Sequence, residues 1–322
     1  MPMIDMPLEQ LKQYKGISPK PADYDEYWER ALKELDATIP NPIIKESNFR
    51  IPNTKCYDLY FTGTRGGNIH AKLIKPAEIK EKAPALLHFH GYSGASEDWF
   101  QYIPFAHMGF VVVGMDVRGQ GGKSEDKNPV SGNTLHGHII RGLDDPDPDN
   151  LFFRQVFLDT AQAARVVMEM DDVDETRVGV YGGSQGGALT LACASLVPEI
   201  KLAAPVHPFL CDFRRVWEMD MAERAYEELK EYFRSCDPCH EREDEIFTKL
   251  GYIDICFRAE KVKAEVMLAG GLMDNVCPPS TWFAAYNRIK SKKSMLLYPD
   301  FSHEWLPQIM DKTALFMSQL LK

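Results

Sequence analysis

The sequence has no apolar run of membrane-spanning length, so no segment of it reads as a helix crossing a bilayer. It also has no surplus of basic charge: 37 Lys and Arg stand against 47 Asp and Glu, for a net charge of -10. Nucleic acid and anionic membrane are therefore not expected partners, since both dock on basic stripes. The first fifteen residues lack a signal-peptide h-region, with Asp5, Glu9 and Lys12 set among the apolar residues, and the expectation is a cytoplasmic protein. The seven cysteines are odd in number and scattered through 322 residues, which suits reduced thiols better than a disulfide framework. No metal-ligand pattern is complete. Cys236-Asp237-Pro238-Cys239-His240 has the spacing of a haem attachment without the export that chemistry needs. Asp145-Pro146-Asp147-Pro148-Asp149 opens like a calcium loop but misses the glycine and the closing glutamate. Neither a metal nor an organic cofactor is expected.

Strands and helices alternate through the rest. The spacing predicts a helix over 21–37 and strands over 56–62 and 69–74, the two strands joined by Gly63-Thr64-Arg65-Gly66-Gly67. Buried-type strands follow at 85–90 and 110–116, with a helix over 98–108 between them. A polar loop runs to about Asn150, then a helix over 152–170. Further strands are expected at 202–206, 264–269 and 294–298, and a closing helix over 304–321. This order implies a mainly parallel sheet covered on both faces. The stretch 211–258 has helical periodicity and no clear strand, so it reads as a helical insertion over the carboxyl edge. With no repeat, low-complexity tract or clear boundary, residues 1–322 form one expected domain carrying that insertion.

The alternation centres on Arg177 to Ala192, where a β-branched run ends in Gly182-Gly183-Ser184-Gln185-Gly186 and a small-residue helix follows. That is the form of a nucleophile elbow, a tight strand-to-helix turn that lifts a serine hydroxyl clear of the sheet. Gly-x-Ser-x-Gly alone is a weak signal; the flanking strand and helix give it weight. A serine hydroxyl needs a base, and the base needs an orienting acid. Behind an elbow these follow in the order Ser, Asp or Glu, His, each in a loop after a strand. Asp274 and His303 satisfy that order. Asp300 competes as the acid, but its closeness to His303 in sequence makes it the poorer orienter.

Of the other histidines, His70 and His240 read as surface or loop residues and His107 as a packed helix-face residue. His136 and His138 read as structural. His90 resembles the histidine of the His-Gly oxyanion turn of lipases and esterases. The oxyanion donors would then be the backbone N–H groups of Tyr92 and Gln185, with His90 bracing the turn.

Together these motifs make the chain resemble carbohydrate esterase family seven, the acetyl xylan esterases and cephalosporin C deacetylases. The carrying motifs are Arg118-Gly119-Gln120, Gly182-Gly183-Ser184-Gln185-Gly186 and His303-Glu304, supported by Phe89-His90-Gly91-Tyr92, Pro208-Phe209-Leu210-Cys211 and the run from Gly271 to Ser280. Trp305-Leu306-Pro307 is less standard. The resemblance implies an α/β-hydrolase with a Ser184, His303, Asp274 triad, which deacetylates small acetylated sugars and the acetoxy group of cephalosporins. It implies that Arg118 and Gln120 brace the site and that members are homo-hexamers. Pro208, Val276 and Cys277 are expected to line the substrate pocket. Two other classes remain: a serine hydrolase of broader acyl or peptide specificity, and a non-catalytic scaffold on the same fold. The insertion's heavy charge argues against a lipase lid.

Overall fold

The computed structural model describes residues 4–132, 135–222 and 224–322. Its centre is one nine-stranded sheet in the order β1-β2-β3-β5-β4-β6-β7-β8-β9. The strands are β1 Ile43–Glu46, β2 Thr54–Thr62, β3 Asn68–Pro76, β4 Ala83–Phe89, β5 Val111–Met115, β6 Val173–Gly183, β7 Leu202–Val206, β8 Glu265–Gly271 and β9 Lys293–Tyr298. From β5 through β9 all neighbours run parallel, while β1, β2 and β3 add an antiparallel edge. Every residue of β4 and β5 is buried, as a sheet covered on both faces requires.

Helices supply the covers. In the helix Tyr24–Asp36, residues Tyr24, Tyr27, Trp28, Ala31 and Leu35 are buried, the three-to-four spacing that turns one face inward. The helix Gln185–Leu196 behind the elbow is buried along its whole length, which explains its Gly-Gly-Ala-Leu-Thr-Leu-Ala composition. Between β7 and β8 the chain leaves the sheet and runs through the helices Phe213–Glu218, Glu227–Cys236, Glu243–Leu250 and Ile255–Ala259. No strand occurs there among the described residues. No helix of the described residues is long and apolar enough to cross a membrane.

Three sequence readings need correcting. The closing helix runs only over Ile309–Met317, followed by a 3-10 turn at Ser318–Leu321. Pro307 restricts the backbone before it, the Tyr298 hydroxyl donates to the Pro307 carbonyl at 2.9 Å, and Gln308 takes a left-handed φ of 62°, so 304–308 stay a loop. His70 is not a surface residue. It is 1% exposed on β3, with Nδ1 2.6 Å from Asp116 and Nε2 2.6 Å from Asp58; the alternation of β3 turns its ring toward the two carboxylates. His107 is exposed at the end of its helix rather than packed, though Nε2 reaches the Pro52 carbonyl at 3.3 Å.

Arg118 ties the antiparallel edge to the parallel core. Its guanidinium is fully buried and meets Asp159, on the helix Phe152–Met168, through two contacts of 2.6 Å. It also donates to the Thr64 carbonyl at 3.0 Å in the loop joining β2 and β3. Removing one member of a buried pair leaves the other charge without compensation. Arg118→Ala should therefore cost about 3–5 kcal/mol in urea unfolding. A loss under about 1 kcal/mol would show that the pair does not hold these elements together.

Candidate active site

The parallel strands all point their carboxyl ends to one edge, where an open α/β sheet places its ligands. The loops after β4, β5, β6, β7, β8 and β9 deliver His90 to Tyr92, Arg118 to Gln120, Ser184, His207, Asp274 and His303 to that edge.

Ser184 occupies the turn between β6 and its helix with φ 57° and ψ -118°, a conformation that is costly for a residue with a side chain. The packing around it enforces the turn. A β-carbon on Gly186 would stand 1.9 Å from the carbonyl oxygen of Phe89, and one on Gly182 2.4 Å from the same oxygen. The Ser184 N–H donates to the Val206 carbonyl at 2.8 Å, pinning the turn to β7.

The three residues picked from the sequence meet. The Ser184 hydroxyl lies 3.0 Å from Nε2 of His303, and Nδ1 of His303 lies 2.8 Å from Oδ2 of Asp274. The other oxygen of Asp274 accepts the N–H groups of Val276 at 2.9 Å and Cys277 at 2.8 Å. Burial pushes this carboxyl up, but hydrogen bonds from His207 and His303 outweigh it and hold the group at about 2. It is therefore a carboxylate at neutral pH. Asp300 is exposed and makes no contact with the His303 ring.

Two backbone amides named from the sequence lie in the segments around the serine. The N–H of Gln185 opens a helix, where the first turn's donors have no partner within the helix. Among the described residues neither this amide nor that of Tyr92 donates to a protein acceptor. The side chains of Gln185 and Gln120 bond each other twice, at 2.7 and 3.0 Å, so Gln120 braces the residue after the serine. His90 donates from Nδ1 to the Gly91 carbonyl at 2.7 Å and accepts the Val117 N–H on Nε2 at 2.9 Å. Those two bonds fix its tautomer, and burial lowers its pKa. Arg118 does not reach the serine; it holds the base of the Gln120 loop from behind.

A cavity of about 370 Å³ opens above Ser184 and His303, bounded by His88, Tyr181, His207 and Trp305. A second mouth is lined by Tyr92, Arg224 and Val276. Cys277 is fully buried, and burial raises its thiol well above the usual range while contact with the Ser184 hydroxyl opposes the rise. Pro208, buried beside the elbow helix, and Cys277 line neither opening, although the sequence reading expects both in the pocket.

The sequence reading passed over two residues here. Glu228, from the insertion, accepts the Tyr92 hydroxyl and the Ile140 N–H, the latter at 3.0 Å, and so ties the insertion to the loop after β4. His207, directly after β7, sets Nδ1 2.9 Å from Oδ2 of Asp274. Neither carries a motif: one is a glutamate on an amphipathic helix, the other continues a strand. Asp274, His207 and His303 also hold three ligand-type atoms within 4.8 Å. Direct N–O contacts of 2.8 and 2.9 Å are hydrogen-bond lengths, shorter than the roughly 3.3 Å separating ligands on one tetrahedral zinc ion. The cluster is a hydrogen-bonded one.

Fold and site together define an α/β-hydrolase with a serine-centred site. The chain belongs to the acetyl xylan esterase family, whose sequence pattern matches residues 1–320. The solved acetyl xylan esterase 1 of Thermoanaerobacterium sp. is 55% identical with a TM-score of 0.97, covering 99% of this chain and 100% of that one. The acetyl xylan esterase of Paenibacillus sp. R4 is 36% identical with a TM-score of 0.93, covering 98% and 99%. The acetyl esterase Axe7A of Xylanibacter ruminicola is 27% identical over 301 residues, and the match takes in 92% of this chain but only 65% of that longer protein.

Glu228 gives the site a pH signature. Burial raises its carboxyl to about 7, against the opposing bonds from Tyr92 and nearby amides. A folded pKa above the unfolded one means a stabilising contribution that is full below about pH 4.5 and is lost as pH rises through 7. Glu228→Gln, which keeps the neutral shape, should match the parent near pH 5 and exceed it by roughly 1–3 kcal/mol at pH 8. Urea midpoints at the two pH values check this. An equal difference at both would contradict it.

Proposed function

We propose that this protein is a serine esterase that removes acetyl groups from short acetylated xylo-oligosaccharides and from acetoxy esters of the cephalosporin type. The reading rests on one observation above the rest: Ser184, His303 and Asp274 form a continuous relay of 3.0 and 2.8 Å at the mouth of a cavity. The names of the two similar solved proteins favour the acetyl group and the xylan-derived alcohol.

The steps follow from the geometry. Asp274 fixes His303 with Nδ1 protonated, leaving Nε2 free to accept the Ser184 proton. The serine oxygen then attacks the acetyl carbonyl, and the amides of Tyr92 and Gln185 receive the charge that develops on its oxygen. His303 hands its proton to the departing sugar oxygen, which leaves an acetyl-enzyme and a free alcohol. Water repeats the sequence on that ester, releasing acetate and restoring Ser184. Val276 bounds the mouth beside Ser184 and, with the buried Cys277 against the serine hydroxyl, favours a short acyl group. The same reading carries a homo-hexamer, and the exposed Phe100, Trp305 and Leu315 are surface that subunit contacts would cover.

Ser184→Ala should lower kcat for acetyl-ester hydrolysis about 10⁴-fold or more with the fold unchanged. The checks are circular dichroism and mass spectrometry of the products from acetylated xylo-oligosaccharides. The parent enzyme should lose kcat/KM on the acid side as His303 takes up a proton. Parent-level turnover by the alanine variant would end the proposal; a preference for long acyl chains would redirect it to a different ester hydrolase.

A further inference from the structure

His207 is the second imidazole on the Asp274 carboxylate. Its Nδ1 stands 2.9 Å from Oδ2, the same oxygen that His303 Nδ1 meets at 2.8 Å, and the two rings lie 5.1 Å apart. The residue is 4% exposed, and its Nε2 is buried with no protein partner. That asymmetry fixes the proton. An orphaned N–H is the rarer and costlier state in a buried site, and a bare Nδ1 facing a carboxylate oxygen at 2.9 Å would be repelled. The Gly271 N–H also approaches Nδ1, from 3.4 Å; accepting it would require that bare nitrogen, so the shorter carboxylate contact decides. The tautomer that suits the shorter contact has Nδ1 protonated, which sets an N–H of His207 beside Oδ2 of Asp274.

The backbone is bent to bring the ring there. His207 has a left-handed φ of 43° at the end of β7, and its N–H is held by the Ala269 carbonyl at 2.9 Å. A non-glycine residue kept at positive φ beside a reaction centre is strain that the surrounding structure sustains.

We propose that His207 is a positioning residue that tunes His303 through Asp274. Oδ2 is shared between two N–H donors, and Oδ1 is already taken by the amides of Val276 and Cys277. Charge that His207 draws from Oδ2 is unavailable to stabilise the imidazolium form of His303. The consequence to be read is an acid limb of kcat/KM that lies lower in the parent than in a variant lacking the His207 ring nitrogen. Other titratable groups face the cluster from its neighbours: Cys277 on the same loop, Glu304 beside His303, His88, His90 and Glu97 across the cavity, and Arg224 at the outer mouth. None of their side chains hydrogen-bonds the Asp274 carboxylate, so His207 is the side chain whose removal acts on His303 through it.

The inference rests on the proposed esterase reading, and the test separates the two. The acid limb of kcat/KM on p-nitrophenyl acetate is measured for the parent, His207→Phe, His207→Gln and His207→Asn. Phenylalanine keeps a ring and loses the donor; glutamine carries its amide too far out to replace Nδ1; asparagine can place an N–H near the Nδ1 position. The limb should move up by roughly 0.5–1 pH unit in the Phe and Gln variants and return toward the parent in Asn. Glutamine alone carries the test should the Phe variant not fold. A uniform loss of activity with the limb unmoved would reduce His207 to packing and overturn the inference. A parent enzyme with no acid limb at all would overturn the Ser184–His303 reading itself, and this inference with it.

Discussion

Everything at the site depends on how closely one helix approaches one strand. The carbonyl oxygen of Phe89 at the end of β4 sits where a β-carbon on residue 186 would lie, 1.9 Å away. Only glycine permits that approach. It lets the helix Gln185–Leu196 start directly under the strand ends, and it forces Ser184 into a positive φ with its hydroxyl raised above the sheet. The same approach brings the Gln185 amide beside the loop that carries the Tyr92 amide. Ser184 and the Gln185 amide are thus placed by one steric constraint.

Asp274 and His303 reach the serine by a different logic. Asp274 and His303 come from loops after neighbouring parallel strands, β8 and β9, and meet because the sheet aligns their carboxyl ends. The carboxylate is then filled on all sides: two backbone amides on one oxygen, two imidazoles on the other. Such satisfaction keeps a buried charge tolerable. Behind this layer, Gln120, His90, Arg118 and Glu228 transmit the rigidity of the scaffold to the turn, each through bonds to backbone or to one another's loops.

Much of this was legible because the relevant residues punctuate the chain. Ser184 carries glycines at a fixed offset, while Asp274 and His303 each follow a clear apolar strand, so order and position could be read directly. What escaped lacked such punctuation. His207 extends β7 as an apparent strand residue, and nothing in Pro205-Val206-His207-Pro208 announces a left-handed backbone. His70 has a histidine's usual polarity, and only the fold reveals the carboxylates of Asp58 and Asp116 on either side of it. Strand β1 has four exposed residues and so no alternation to detect, whereas the periodicity past Glu304 concealed the loop that Pro307 imposes. Pro208 follows the same edge as the site residues, yet its ring turns into the protein.

The most direct test of the account is chemical. The enzyme is mixed with excess p-nitrophenyl acetate, quenched in acid within the first turnover, digested and mapped by mass spectrometry. The account predicts one acetyl group, carried on Ser184. An unmodified serine with the acetyl group on another side chain, the adjacent Cys277 included, would contradict it.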